Sequence, residues 1–239
     1  MKRWLRLTLR RYGADLSFTD LVCTEHVKTI AVAADGRTDV TIRRALVFLA
    51  APAVGDLRDV VPLDPDTDIK SVRVTSPDSD EVGRVRCKSG VQVYWVPREP
   101  IVPYALYTHE YGWSSPGWYA EAAMYTELRC ETRTGIMELQ FATSAPIETA
   151  IAFKRPRWRR MTTERSLVKQ ALAASDSHQH GTVSEDGCRA TWRVVAPQMG
   201  DAHVGVVFGK NGVKQWQKRL EATSLTARVR RLFDPLIPA

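Results

Sequence analysis

Glu25–Ala34 (EHVKTIAVAA) and Asp39–Ala51 (DVTIRRALVFLAA) flank the tetrapeptide Asp35-Gly36-Arg37-Thr38. Apolar and polar residues alternate through much of both runs, the two-residue period of a half-buried strand. Asp-Gly tolerates the positive φ that a tight reversal demands, so the segment predicts a β-hairpin. The same period recurs outward. Ile69–Thr75, Gly83–Cys87 and Gln92–Val96 read as strands separated by Ser-Pro-Asp-Ser-Asp and Lys-Ser-Gly turn clusters. Pro103–Glu110, Trp118–Cys130, Ile136–Thr143 and Thr149–Lys154 continue the series, with a turn expected at Thr134-Gly135. Cys188–Ala196 and His203–Phe208 close it, followed by Lys210-Asn211-Gly212, which reads as another hairpin turn.

Helical signals are few. Thr163–Ala174 has a threonine cap, an early acid and good helix formers, and Ser224–Phe233 places Leu225, Val229, Leu232 and Phe233 on one side before Asp-Pro. The chain is therefore expected to be mostly β, an antiparallel β-sandwich with one or two peripheral helices, two Ig-like halves being one form of it. Val96–Pro103 (VPREPIVP) cannot continue a central strand because its prolines lack a ladder donor. It reads as a linker or sheet crossover. A β-rich half at 1–98 and a second at 99–239 follow from it, with one continuous domain as the alternative.

Charge is segregated. Met1–Tyr12, Lys154–Arg160 and Gly209–Arg219 each surround a tryptophan with cations and contain no acid, and together they hold 14 of the 34 basic residues. The remaining 20 face 27 acids, so a chain of net charge +7 is net negative outside these stretches. Clustered charge makes a field that an anionic partner feels, whereas interspersed charge cancels. The 25 arginines against nine lysines also match the bias of a GC-rich coding sequence, which discounts the argument.

The strongest cluster is Lys154-Arg155-Pro156-Arg157-Trp158-Arg159-Arg160. Guanidinium forks bind phosphate bidentately, and an indole stacks on a base or an arginine. With Arg3, Trp4 and Arg6 it forms the expected anion-binding set. The bland reading is a strand whose arginines pair with acids elsewhere. A second candidate surface is the aromatic loop 111–119, with Trp113, Trp118 and Tyr119 as contact residues; ordinary core packing is the alternative there.

Catalytic patterns fail one by one. There is no P-loop, nucleotide-binding glycine fingerprint, nucleophile elbow or zincin motif. Asp64–Asp68 begins like a calcium loop, but Ile69 stands where glycine is required and Thr75 where a bidentate glutamate should sit. His178 and His180 lack a third ligand at any metal-site spacing. Cys23 with His26 offers poor nucleophile geometry. The four cysteines form no CxxC pair and no export signal precedes them, which predicts free thiols in the cytoplasm.

The function expected is a non-catalytic binding module that needs no cofactor. It would show a basic, Trp-bearing patch to a nucleic acid, a nucleotide or an acidic protein surface. The alternatives are a metal-dependent hydrolase built on His178/His180 or Asp64–Asp68, and a structural subunit docking through the aromatic loop. No run is long enough to span a membrane.

Overall fold

The computed structural model describes residues 21–49, 58–61, 71–76, 78–87, 90–115, 123–130, 132–155, 164–173 and 179–233. Its first two strands are the hairpin, β1 (Leu21–Val32) and β2 (Thr38–Phe48), in antiparallel register from Val32↔Thr38 to Leu21↔Phe48. The turn differs from the expected form. Only Gly36 takes a positive φ (84°). The Gly36 N–H donates to the Ala33 carbonyl and the Ala33 N–H to the Arg37 carbonyl. This is a type I turn closed by a left-handed glycine, so Asp35 contributes through its side chain, which accepts the Arg37 N–H at 3.0 Å.

The hairpin sits at the centre of a seven-stranded sheet. Beside β2 lie β7 (Leu106–Ser115) and β4 (Arg73–Val74); beside β1 lie β9 (Arg133–Thr143), β13 (Arg189–Val195) and β12 (Thr182–Val183). The β1–β9 pair is parallel and every other pair among the described strands is antiparallel. Strands from both sides of residue 98 share this sheet. Two smaller sheets cover its inner face. One is β3 (Arg58–Val61), β6 (Gly90–Pro97) and β5 (Ser79–Cys87); the other is β11 (Gln179–His180), β10 (Ile147–Arg155), β14 (Ala202–Gly209) and β8 (Ala123–Arg129). The architecture is mostly β and sandwich-like, as the two-residue period predicts.

Alternation decides the core. Ile30, Val40, Ile42, Leu139 and Phe141 of the large sheet meet Val91 and Val93 of the three-stranded sheet and Ala150, Ala152 and Val207 of the four-stranded sheet. The four-stranded sheet is buried on its other face too. Ile151, Phe153, Val204, Val206 and Phe208 pack under α1 (Glu164–Leu172) and α2 (Gly212–Phe233), which explains the nearly unbroken apolar run HVGVVF. Pro97–Ala105 crosses between sheets, as its prolines require.

Three local readings are corrected. Thr134 and Gly135 lie within β9 and are no turn. Gly135 is needed because a Cβ there would stand 2.8 Å from the Thr24 carbonyl oxygen, where β1 bulges between Cys23 and Glu25. Gly112–Ser115 is strand, not loop, and Trp113 is buried in the core. Lys210-Asn211-Gly212 opens a helix instead of a hairpin, with Asn211 at φ 61°.

Candidate functional site

Burial sorts the nucleophiles and imidazoles. Cys23 lies in the core with its thiol donated to the Glu25 carbonyl, and burial pushes its pKa up to about 11, away from thiolate chemistry. His26 is buried as well, and His109 stacks on Trp95 with ring centroids 3.9 Å apart. His203 is part-buried, and burial lowers its pKa below the usual imidazole value. His180 belongs to the two-residue strand β11 beside Ile151, rather than to a loop; His178 and Asp64–Asp68 lie outside the described residues. Among the described residues no three His, Cys, Asp or Glu side chains group as metal ligands.

Of the expected anion-binding set, Arg3, Trp4, Arg6, Arg157, Trp158, Arg159 and Arg160 lie outside the described residues, as do the loop aromatics Trp118 and Tyr119. Arg155 ends β10. Lys154, exposed near that end, donates to Asp201 at 2.9 Å. Burial alone would raise the Asp201 pKa, but the Lys154 ammonium and the Gln198 N–H together hold it below the usual carboxylate range. Lys154 is thus a paired cation.

The third basic stretch is described in full. Its tryptophan is not a contact residue: Trp216 is 6% exposed and packs with Leu167, Val168 and Ala171 of α1 and with Val204, Val206 and Phe208 of the sheet beneath. Val213, Trp216 and Leu220 recur at three and four residues, the spacing of one helix face. That anchor turns the cations outward. Lys210, Lys214, Lys218 and Arg219 are all exposed, together with Gln215 and Gln217. Arg219 places its guanidinium carbon 5.3 Å from the Trp216 ring centroid, capping the anchor. The ion pairs among the described residues involve none of the three lysines, and the first turn of α2 holds no acid. Burial and charge periodicity in Gly209–Arg219 were both legible in the Val213/Trp216/Leu220 spacing, which a reading of tryptophan as ligand overlooks.

A second feature lies on the outer face of the seven-stranded sheet. Val27, Thr29, Thr41, Arg43, Glu110 and Gln140 line a shallow hollow of about 340 Å³. Its polar groups are tied to neighbours: Thr29 donates to Gln140 at 3.0 Å, Thr75 to Glu110 at 2.8 Å, and Arg43 reaches Glu25 at 3.3 Å. This face is self-satisfied, unlike the lysine row. No helix among the described residues is long and apolar enough to cross a membrane.

No family model and no curated protein matches the chain. Among solved structures, similarity extends to a candidate protease from Parabacteroides distasonis, at 10% identity and a TM-score of 0.46 over 79% of this chain and 40% of the other. Native leukotriene A4 hydrolase from Saccharomyces cerevisiae gives 9% identity and a TM-score of 0.43 over 84% and 33%. An M1 zinc metallopeptidase from Deinococcus radiodurans gives 11% and 0.35 over 78% and 42%. The chain spans less than half the length of each, and at these scores the likeness assigns no residue a role.

Proposed function

We propose that the chain is a non-catalytic binding module that shows exposed cations to an anionic partner. One observation carries the reading: Lys214 and Lys218 stand in the open on a helix whose tryptophan is fixed in the core, Lys210 stands in the open on the turn that leads into it, and none of the three takes part in the ion pairs of the described residues. Lys214 and Lys218, four residues apart on the helix, repel one another by a few tenths of a kcal/mol. Cations near a helix N-terminus also oppose its dipole by a similar amount. The sequence tolerates both costs, and an anionic ligand offsets both. The buried state of Cys23 and His109 supports a binding role over nucleophilic chemistry.

The test is anisotropy of fluorescein-labelled heparin titrated with the whole chain across a salt series. Binding should be tightest at low salt and weaken steadily as counterion release is suppressed. No binding at about 50 mM salt, or an affinity indifferent to salt, sinks the reading.

A further inference from the structure

We infer that the row Lys210–Lys214–Lys218 contacts the phosphate backbone of duplex nucleic acid, without reading its sequence. The inference rests on the anionic-partner reading above and narrows it to one class of partner.

Residue type makes the first selection. Protein–protein interfaces are enriched in aromatic residues and arginine and depleted in lysine. This chain has only nine lysines against 25 arginines, yet three of the nine stand in this one row. Gln215 and Gln217, also exposed, add amide donors of the kind that reach phosphate oxygens. An acidic protein surface would call for an exposed apolar or aromatic anchor at the centre of the patch. Trp216 cannot serve, because it is spent on the core.

The same burial separates duplex from single strand. Single-stranded nucleic acid is held by aromatic rings on which bases stack. Nothing described on the exposed side of α2 between Gly212 and Ala222 offers such a ring. What remains is a set of exposed, hydrated point charges at the start of α2. A helix rises about 1.5 Å per residue, so Lys214 and Lys218 stand one turn, roughly 6 Å, apart along α2, and Lys210 adds a third exposed cation on the turn before its first residue. Duplex DNA presents a phosphate about every 1.7 Å of its axis, dense enough for each lysine to meet one. Lysine ammonium groups on flexible stems carry no base information, so contact of this kind is independent of sequence.

The experiment uses the whole chain and a labelled duplex of about 20 base pairs, with affinity measured between about 50 and 200 mM salt. The test variant is Lys210→Gln/Lys214→Gln/Lys218→Gln. The control, Arg73→Gln/Arg189→Gln/Arg193→Gln, removes three exposed cations from the seven-stranded sheet. With three phosphates neutralised by the row, the lysine variant should lower the log–log salt slope by about 2 to 3, so that across this range the unaltered chain loses about 40-fold more affinity than the variant. The control should keep the original slope, and a duplex of scrambled sequence should bind equally well. The lysine variant should melt no lower than the unaltered chain, since like charges are removed.

An unchanged slope in the lysine variant, or an equal drop in the control, overturns the placement on α2. Binding of heparin or polyglutamate without binding of duplex overturns the nucleic-acid inference and leaves the broader reading standing. Failure to bind any of the three ends both.

Discussion

Lys28 lies on the inner face of β1, between the sheets, and its ammonium donates to the Glu127 carbonyl at 3.0 Å and stands 6.0 Å from the Trp113 ring centroid. Burial lowers its pKa from 10.5 to about 8, with Glu127 partly offsetting that effect. Below pH 8 both folded and unfolded chains carry the proton, and the fold bears the cost of an interior charge. Between pH 8 and 10.5 the folded chain binds fewer protons than the unfolded one, so this residue makes stability rise with pH. Cys23 acts in the opposite sense above pH 9, because its raised pKa keeps the folded thiol protonated. The difference between the unaltered chain and Lys28→Met isolates the lysine. At pH 7 the variant should be more stable by about 1–2 kcal/mol, since a desolvated charge worth roughly 3 kcal/mol is removed and one hydrogen bond of about 1 kcal/mol is lost. That advantage should shrink toward pH 10. Denaturant midpoints at the two pH values decide it, and a variant less stable at both would mean that the ammonium is a net stabiliser. The alternation of β1 points to position 28 as inward, but a lysine there runs against every compositional expectation.

Among the elements, α2 departs most from its sequence reading. Its second half was legible through Leu225, Val229, Leu232 and Phe233, whereas its first half offers three apolar positions among cations and glutamines. The Asn-Gly pair at its head imitates a hairpin, because the left-handed residue that closes a two-residue turn equally well redirects a strand into a helix. Trp216 fastens this first half to α1 and the sheet. Trp216→Ala should cost about 3–5 kcal/mol and loosen the lysine row with it. Hydrogen exchange is the readout: protection should fall most within residues 212–222, and uniform loss over every strand would contradict a local anchoring role. Gly135 teaches a similar lesson. Its glycine marks a close backbone approach inside a strand, which sequence alone does not distinguish from a turn.

On the scale of the whole molecule, strand period and turn chemistry revealed the sandwich because they are local, and local patterning sets which faces are apolar. Which strands become neighbours is not local, and neither the seven-strand order nor the parallel β1–β9 pair is visible in any window of residues. The same holds for the site. Charge clusters could be counted from the sequence, while the burial of Trp216, which decides what its lysines can touch, depends on α1 and β14 arriving above and below it. A whole-chain consequence of polyanion binding can be measured by thermal melting. Heparin at about 100 times its dissociation constant should stabilise the fold by roughly 2.7 kcal/mol, and the lysine variant should lose much of the resulting rise in melting temperature. An equal rise in both proteins would place the ligand elsewhere.

The parallel pairing of β1 with β9 also has a consequence in time. Thr29 bonds Gln140 across a separation of 111 residues, so the partner of β1 leaves the ribosome long after β1 itself. At about 5–20 residues per second, one flank of the β1–β2 hairpin waits roughly 5–20 s for its neighbour. For that interval its row of unpaired amides and carbonyls is an open edge, able to capture the same segment of another nascent chain. Crowded synthesis is therefore a condition that exposes this edge to misassembly.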